Sequence, residues 1–257
     1  MRKKIQIILG IFTLLLFTAC STIGQSNMKK TIFITGGDFG KPFLKYVIGL
    51  TKKTNPKICF MPTASADNPY AINWFYEQCA GLPMEPHVQR VFLNSSPEQK
   101  TFEENLLDMD AIVVGGGSTL NMLAIWKAQG IDTVLKKAYQ KGIILAGGSA
   151  GSLCWTQGGF TDSRPKALSR IDCLGFLPFS HCPHYHSEPT RKPLYHDAVL
   201  KGLLKAGYAC DDRAGILFEN EKPVKIVSAN KENNCYFISV ENGKVKEDML
   251  KTEEFLE

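Results

Sequence analysis

The stretch Gly142-Ile-Ile-Leu-Ala-Gly-Gly-Ser-Ala-Gly-Ser-Leu-Cys-Trp-Thr156 decides how the rest of the chain is read. Residues 143–146 form a short apolar run of strand length, and Gly147-Gly148-Ser149-Ala150-Gly151 leads from it into a segment suited to a helix. Strand, G-x-S-x-G, helix is the pattern of a nucleophile elbow. In that tight turn, small residues let strand and helix approach while the serine hydroxyl stands clear of the sheet. Ser149 is therefore a candidate nucleophile. The same pattern also serves as a plain Gly-rich turn without chemistry, so its surroundings have to decide.

Upstream of the elbow, strand-like and helix-like stretches alternate. Strands are expected at residues 30–35, 57–61, 87–93 and 110–114, with helices over 42–51, 70–81, 98–107, 120–129 and 131–140. This alternation predicts an α/β fold, a mainly parallel sheet flanked by helices in a single domain. Ligands of such sheets sit where loops leave the carboxyl ends of the strands. Gly115-Gly116-Gly117-Ser118 and the elbow both lie at such ends, which predicts one shared crevice. The Gly36-Gly37-Asp38-Phe39-Gly40 loop is not G-x-G-x-x-G and is not read as a dinucleotide site. After Gly159 the chain turns to loops and short strands: 160–167, 171–174, 215–218, 224–228 and 235–240, with one helix over 192–206. Asn242-Gly243 is a hairpin signal.

The chain has 257 residues, 44% hydrophobic and 21% charged, enough for a substantial core and typical of a folded protein. Of the formal charge of +5, Arg2, Lys3 and Lys4 supply three, leaving +2 and no long basic run that would point to nucleic acid. Those residues open a second pattern. A basic start, an apolar run over 5–17 and Phe17-Thr-Ala-Cys20 resemble a bacterial lipoprotein signal peptide, in which Cys20 is lipidated. On that reading residues 1–20 are a leader, 21–29 a polar tether and 30–257 the folded domain, held on the cell-envelope membrane. A start at Met28 would instead give a cytoplasmic protein. The seven other cysteines are odd in number, widely spread and mostly in apolar contexts, which is no disulfide framework.

A serine nucleophile needs a base, an acid to orient the base, and donors for the oxyanion. The Ala150 N–H, just after the serine, is one natural donor, and the glycine loop can bring a second, that of Gly117. Among five histidines, His181, His184 and His186 cluster in Ser180-His-Cys-Pro-His-Tyr-His186, and His184 is the candidate base. The same cluster offers N and S ligands, and in an extended chain His184 and His186 would project from one face. No second ligand cluster accompanies it, so no metal is expected. For the acid, Asp162 and the Asp211-Asp212 pair both fit, and spacing does not choose.

Taken in order, V-V-G-G-G-S-T, G-G-S-A-G with Cys154-Trp155, F-T-D-S, H-C-P-H-Y-x-S-E with Arg191, and G-Y-A-C-D-D resemble the peptidase E family of serine peptidases over residues 30–240. The family includes aspartyl dipeptidases and, more distantly, cyanophycinase. The resemblance implies a class I glutamine amidotransferase-like fold with serine in the place of cysteine, and no cofactor. It implies Ser149 as nucleophile, His184 as base, Asp212 as orienting acid with Asp162 accessory, and Gly117 and Ala150 as oxyanion donors. Its implied substrates are short peptides, dipeptides with an N-terminal Asp among them. Arg191 is a candidate reader of a substrate carboxylate. The sequence departs from the pattern at Ser118, His186 and Arg213, which bears on the substrate more than on the mechanism. An α/β-hydrolase-type esterase or acyl transferase, or an inactive lipid-anchored binding protein, is the competing reading.

Overall fold

The computed structural model describes residues 28–37 and 39–257. In chain order the elements are β1 Thr31–Thr35, α1 Lys41–Thr51, β2 Lys57–Met61, α2 Pro69–Cys79, β3 Glu85–Val88, α3 Phe102–Leu106, β4 Ala111–Val114, α4 Thr119–Gln129, α5 Ile131–Gln140, β5 Ile144–Gly148 and α6 Ala150–Leu153. There follow β6 Gly158–Thr161, β7 Ser169–Asp172, β8 Ser180–Cys182, α7 Arg191–Leu200, β9 Gly207–Cys210, β10 Ala214–Glu219, β11 Lys222–Ser228, β12 Cys235–Glu241, β13 Lys244–Leu250 and β14 Glu254–Phe255. A single 3-10 turn spans Thr63–Ser65.

The first eight-stranded sheet has the order β14-β11-β10-β1-β5-β4-β2-β3. Its β1, β5, β4, β2 and β3 run parallel, while β10 is antiparallel to both β1 and β11. The central parallel strands β1, β5, β4 and β2 are largely apolar and buried because both faces are covered, whereas β3 at the sheet edge is not. In β1, Ile32 and Ile34 join the cluster that contains Met122, Trp126 and Leu135, whereas Phe33 joins the one that contains Phe43, Leu44 and Val47. The same alternation divides Ile112 and Val114 from Ala111 and Val113 in β4. Helices α4 and α5 thus pack on one face and α1 on the other.

The expected mainly parallel sheet flanked by helices is present, but the loop-rich C-terminal part does not simply extend it. It builds a second sheet of six strands, β13-β12-β9-β8-β6-β7. One apolar cluster runs through both sheets, taking in Phe179, Cys210 and Cys235 together with Ile216 and Phe218, so the two form a single domain. The hairpin at Asn242-Gly243 joins β12 to β13, with both residues at positive φ (52° and 72°), as a tight two-residue loop requires.

Three expected elements differ for local reasons. The third strand stops at Val88 instead of 93, because the buried Asp67 carboxylate accepts the Val91 and Phe92 N–H groups and draws the chain off the sheet. The helix expected at 98–107 begins only at Phe102, where Thr101 and Glu104 form a capping box. Helix α7 ends at Leu200, and Gly202 turns the chain at φ 67°. No helix among the described residues is long and apolar enough to cross a membrane. Cys20 and the leader reading lie outside the described residues.

Candidate active site

Because β1, β5 and β4 are neighbours, three loops converge at their carboxyl ends: Gly36-Gly37, Gly148-Ser149 and Gly115 to Ser118. The crevice expected between the two Gly-rich loops is formed there. Ser149 sits at φ 56°, ψ −120°, a conformation that costs a non-glycine residue about 1–3 kcal/mol and persists only where its surroundings impose it. The imposition is visible at Gly151. A Cβ there would lie 2.0 Å from the Val114 carbonyl oxygen, so α6 is pressed directly on β4. Ser152 and Leu153 N–H both donate to the Ser149 carbonyl (3.1 and 3.0 Å), which starts α6 immediately after the turn.

The Ser149 hydroxyl donates to His184 Nε2 at 2.8 Å, and His184 Nδ1–H donates to Asp212 Oδ1 at 2.6 Å. Ser187 Oγ adds a second donor to the same carboxylate oxygen at 2.9 Å. His184 is itself at φ 55°, and the end of β1 holds it in place. Its N–H donates to Gly36 O (3.2 Å), while Gly37 N–H donates to Asp212 O (3.0 Å). A Cβ on Gly37 would come within 2.8 Å of Asp212 Oδ1, so glycine lets the acid-bearing segment close on this loop. These glycines therefore clamp base to acid.

The three clustered histidines have three separate partners. His184 and His186 do not share a face, because the chain leaves β8 at Cys182 and turns through 183–190. His186 Nδ1 pairs with Asp211 Oδ1 at 2.8 Å, beside the His184–Asp212 pair, so the two aspartates serve different rings. His181 is fully buried beneath the elbow. Its Nδ1–H donates to Tyr208 O, and its Nε2 lies 3.0 Å from Ser152 Oγ, whose hydroxyl is also 2.7 Å from the Ser149 carbonyl. Among the described residues no group of three or more His, Cys, Asp or Glu side chains is arranged to hold a metal ion.

Burial, the largest influence, pushes the His181 pKa down to about 4 from an ordinary 6.5, so the folded state binds this proton less readily than the unfolded chain. The stability it contributes is present above pH 6.5 and is lost as the pH falls toward 4. That loss should reach about 3 kcal/mol at pH 4. Urea unfolding at pH 7 and pH 4 checks this. His181→Gln should lose correspondingly less between the two, and an equal acid loss in both proteins would refute it.

At the glycine loop, Gly115 N–H donates to Met61 O and Ser118 N–H to Ala64 O. The Gly116 and Gly117 N–H groups have no acceptor among the described residues. Gly116 lies against the serine, since a Cβ on it would be 3.4 Å from Ser149 Cβ. Gly117 is turned toward the 3-10 turn at φ 133°, its Cβ position 2.3 Å from Ala64 O. Gly116 therefore flanks the serine, and the N–H of the peptide that follows it is that of Gly117, the expected second donor. Ala150 is the first residue of α6, so its N–H has no intrahelical acceptor.

Two sequence candidates are elsewhere. Asp162 is exposed beyond β6, in a separate cleft with Arg164, Lys166 and Asp197, and makes no hydrogen bond to His184. Arg191 is buried at the start of α7, its Nε donating to Glu188 (2.7 Å) and Nη1 to Phe160 O (2.9 Å), and it does not line the cleft at Ser149. Sequence reading missed the Ser152–His181 pair and Ser187. The first is signalled only by two polar residues in apolar surroundings, and the second not at all.

The family model of peptidase family S51 matches residues 31–226. The "Uncharacterized peptidase YgaJ" of Bacillus subtilis (strain 168) is 36% identical over 225 residues, covering 86% of this chain and 96% of that protein. Among solved structures, a peptidase from an acI-B1 Actinobacterium superposes with a TM-score of 0.66 at 17% identity, covering 89% of this chain and 96% of its own. A Listeria monocytogenes EGD-e protein assigned as a peptidase E superposes with a TM-score of 0.58 at 20% identity, covering 76% and 97%. At those identities the two structures bear on the fold alone. The family model and the B. subtilis relative, each matching most of the chain, carry the assignment: this protein is a peptidase of family S51, the peptidase E family.

Proposed function

We propose that the protein is a serine peptidase that hydrolyses short peptides through Ser149, His184 and Asp212. The observation that carries this is the unbroken hydrogen-bonded chain from Ser149 Oγ through both His184 nitrogens to Asp212 Oδ1. His184 Nε2 takes the hydroxyl proton as Ser149 Oγ bonds to the peptide carbonyl carbon. The oxyanion so formed is met by the Ala150 N–H and by the Gly117 N–H. His184 then delivers its proton to the leaving amine, and the C–N bond breaks to give an acyl-serine. Water, deprotonated by the same ring, attacks the ester and releases the carboxylate product with Ser149 restored. Asp212 keeps the ring proton on Nδ1, so that Nε2 is free to accept.

The resemblance would give dipeptides with an N-terminal Asp as substrates. A Lys or Arg in the cleft would read that carboxylate bidentately or as a point charge. The described lining residues include no Lys or Arg, and Arg191 is engaged elsewhere. The proposed substrates are therefore short peptides. Location at the envelope membrane through Cys20 is proposed on the sequence of residues 1–20 alone.

A fluorophosphonate probe tests the assignment. It is expected to form one adduct, which peptide mapping places on Ser149 and not on the buried Ser152. Absence of an adduct on Ser149 in folded protein would refute the activated serine.

A further inference from the structure

Ser149 and His184 open into a cleft of about 260 Å³ whose other walls are largely aromatic. Phe39, Phe60 and Phe75 make its floor and are 6%, 4% and 1% exposed; Trp74, on the outer face of α2, stands at its rim at 37%. Phe60 and Phe75 are stacked with ring centroids 4.9 Å apart at 16°. The glycine loop continues this wall, for a Cβ on Gly115 would lie 2.9 Å from the tip of the Phe60 ring. Among the described residues that line the cleft there is no Lys, Arg, Asp or Glu.

We infer that this cleft is the pocket for the side chain of the residue whose carbonyl Ser149 attacks, and that it takes an aromatic or large aliphatic side chain. The inference rests on the serine-peptidase reading above and names its substrate class. Three considerations support it. The acyl residue's side chain branches from the Cα bonded to the carbonyl carbon held at Ser149 Oγ, so it falls within the cavity that Ser149 itself lines. The volume is at the small end for ligand pockets and suits one side chain, not a long peptide. The walls reward apolar surface, whereas a carboxylate entering them would lose its water and gain no cation. Trp74 and Phe60 are the specificity-determining residues on this reading. The helix carrying Trp74 and the strand carrying Phe60 bring them to the site from outside every motif in the sequence.

The test compares rates of covalent capture by purified full-length protein. One probe is an ethyl fluorophosphonate with no amino-acid side chain. Two others are diphenyl aminoalkylphosphonates bearing the side chain of Phe or of Asp, and adducts are located by mass spectrometry. The ethyl probe should label Ser149, and the Phe probe should react faster than the Asp probe by about tenfold or more, the discrimination expected of an apolar pocket. Trp74→Arg, a change at a half-exposed helical position, should narrow or invert that ratio while leaving the circular dichroism spectrum unchanged. Labelling by the ethyl probe with the Asp probe as fast as the Phe probe would overturn the pocket and leave the serine standing. A Phe preference untouched in folded Trp74→Arg would also overturn it. No labelling of Ser149 by any probe would overturn the serine reading and the pocket with it.

Discussion

Ser149→Ala is expected to lower turnover of a cleaved short peptide by about a millionfold, the loss typical when the nucleophile of a serine, histidine and aspartate unit is removed. The expectation follows from the geometry, because no second hydroxyl is placed to substitute. Ser152 Oγ is buried under the turn and committed to the Ser149 carbonyl and to His181. Ser65 lines the same cleft, but its Oγ donates to Pro62 O at 2.9 Å. Steady-state assays on purified protein check the result, and turnover within tenfold of wild type would sink the nucleophile assignment. The backbone adds an independent signature. Alanine at φ 56° keeps the strain that serine bears, whereas glycine does not. Ser149→Gly should therefore be inactive yet more stable than Ser149→Ala by about 1 kcal/mol, or roughly 3 °C in melting temperature for a domain of this size. A packing defect would instead lower both.

Much of this arrangement was legible in the sequence, for physical reasons. Parallel strands buried on both faces must be continuous apolar runs, so β1, β2, β4 and β5 stood out, and the elbow glycines follow from the close approach of α6 to β4. The acid was not legible from spacing, and only the family resemblance pointed to Asp212. Asp162 and Asp212 both precede or follow polar loop residues, and only the path of β9 beside β8 brings the second of them to His184. The second sheet escaped for a related reason. Apart from the β12–β13 hairpin its strands are short, and pairs such as β6 with β8 and β8 with β9 join segments separated by loops or a helix, so no local pattern marks them. Gly36-Gly37 carried no functional reading in the sequence, beyond not being a dinucleotide fingerprint. Their use, to hold His184 and Asp212 together by backbone hydrogen bonds, depends on contacts with residues some 150 or more positions away.

Asp212→Asn should lower kcat by about 10⁴-fold while Asp162→Asn leaves it within about twofold of wild type. The larger number comes from the proton on the ring, not from lost charge alone. Asp212 Oδ1 accepts from His184 Nδ1–H, which leaves Nε2 as an acceptor for the Ser149 hydroxyl. An asparagine can turn its NH₂ toward Nδ1. The ring proton then moves to Nε2, which faces Ser149 as a donor and cannot take its proton. Because neither substitution touches the apolar cleft, KM should change little in either variant. Asp211→Asn separates position from mere acidity. Asp211 pairs with His186 and accepts the Asn234 N–H at 2.9 Å, so its loss should weaken the fold of that loop more than the chemistry. A larger kcat loss in Asp162→Asn than in Asp212→Asn would reverse the assignment. Equal and small losses in both would mean that His184 is oriented by its backbone clamp at Gly36 and needs no carboxylate, a result the 2.6 Å contact argues against.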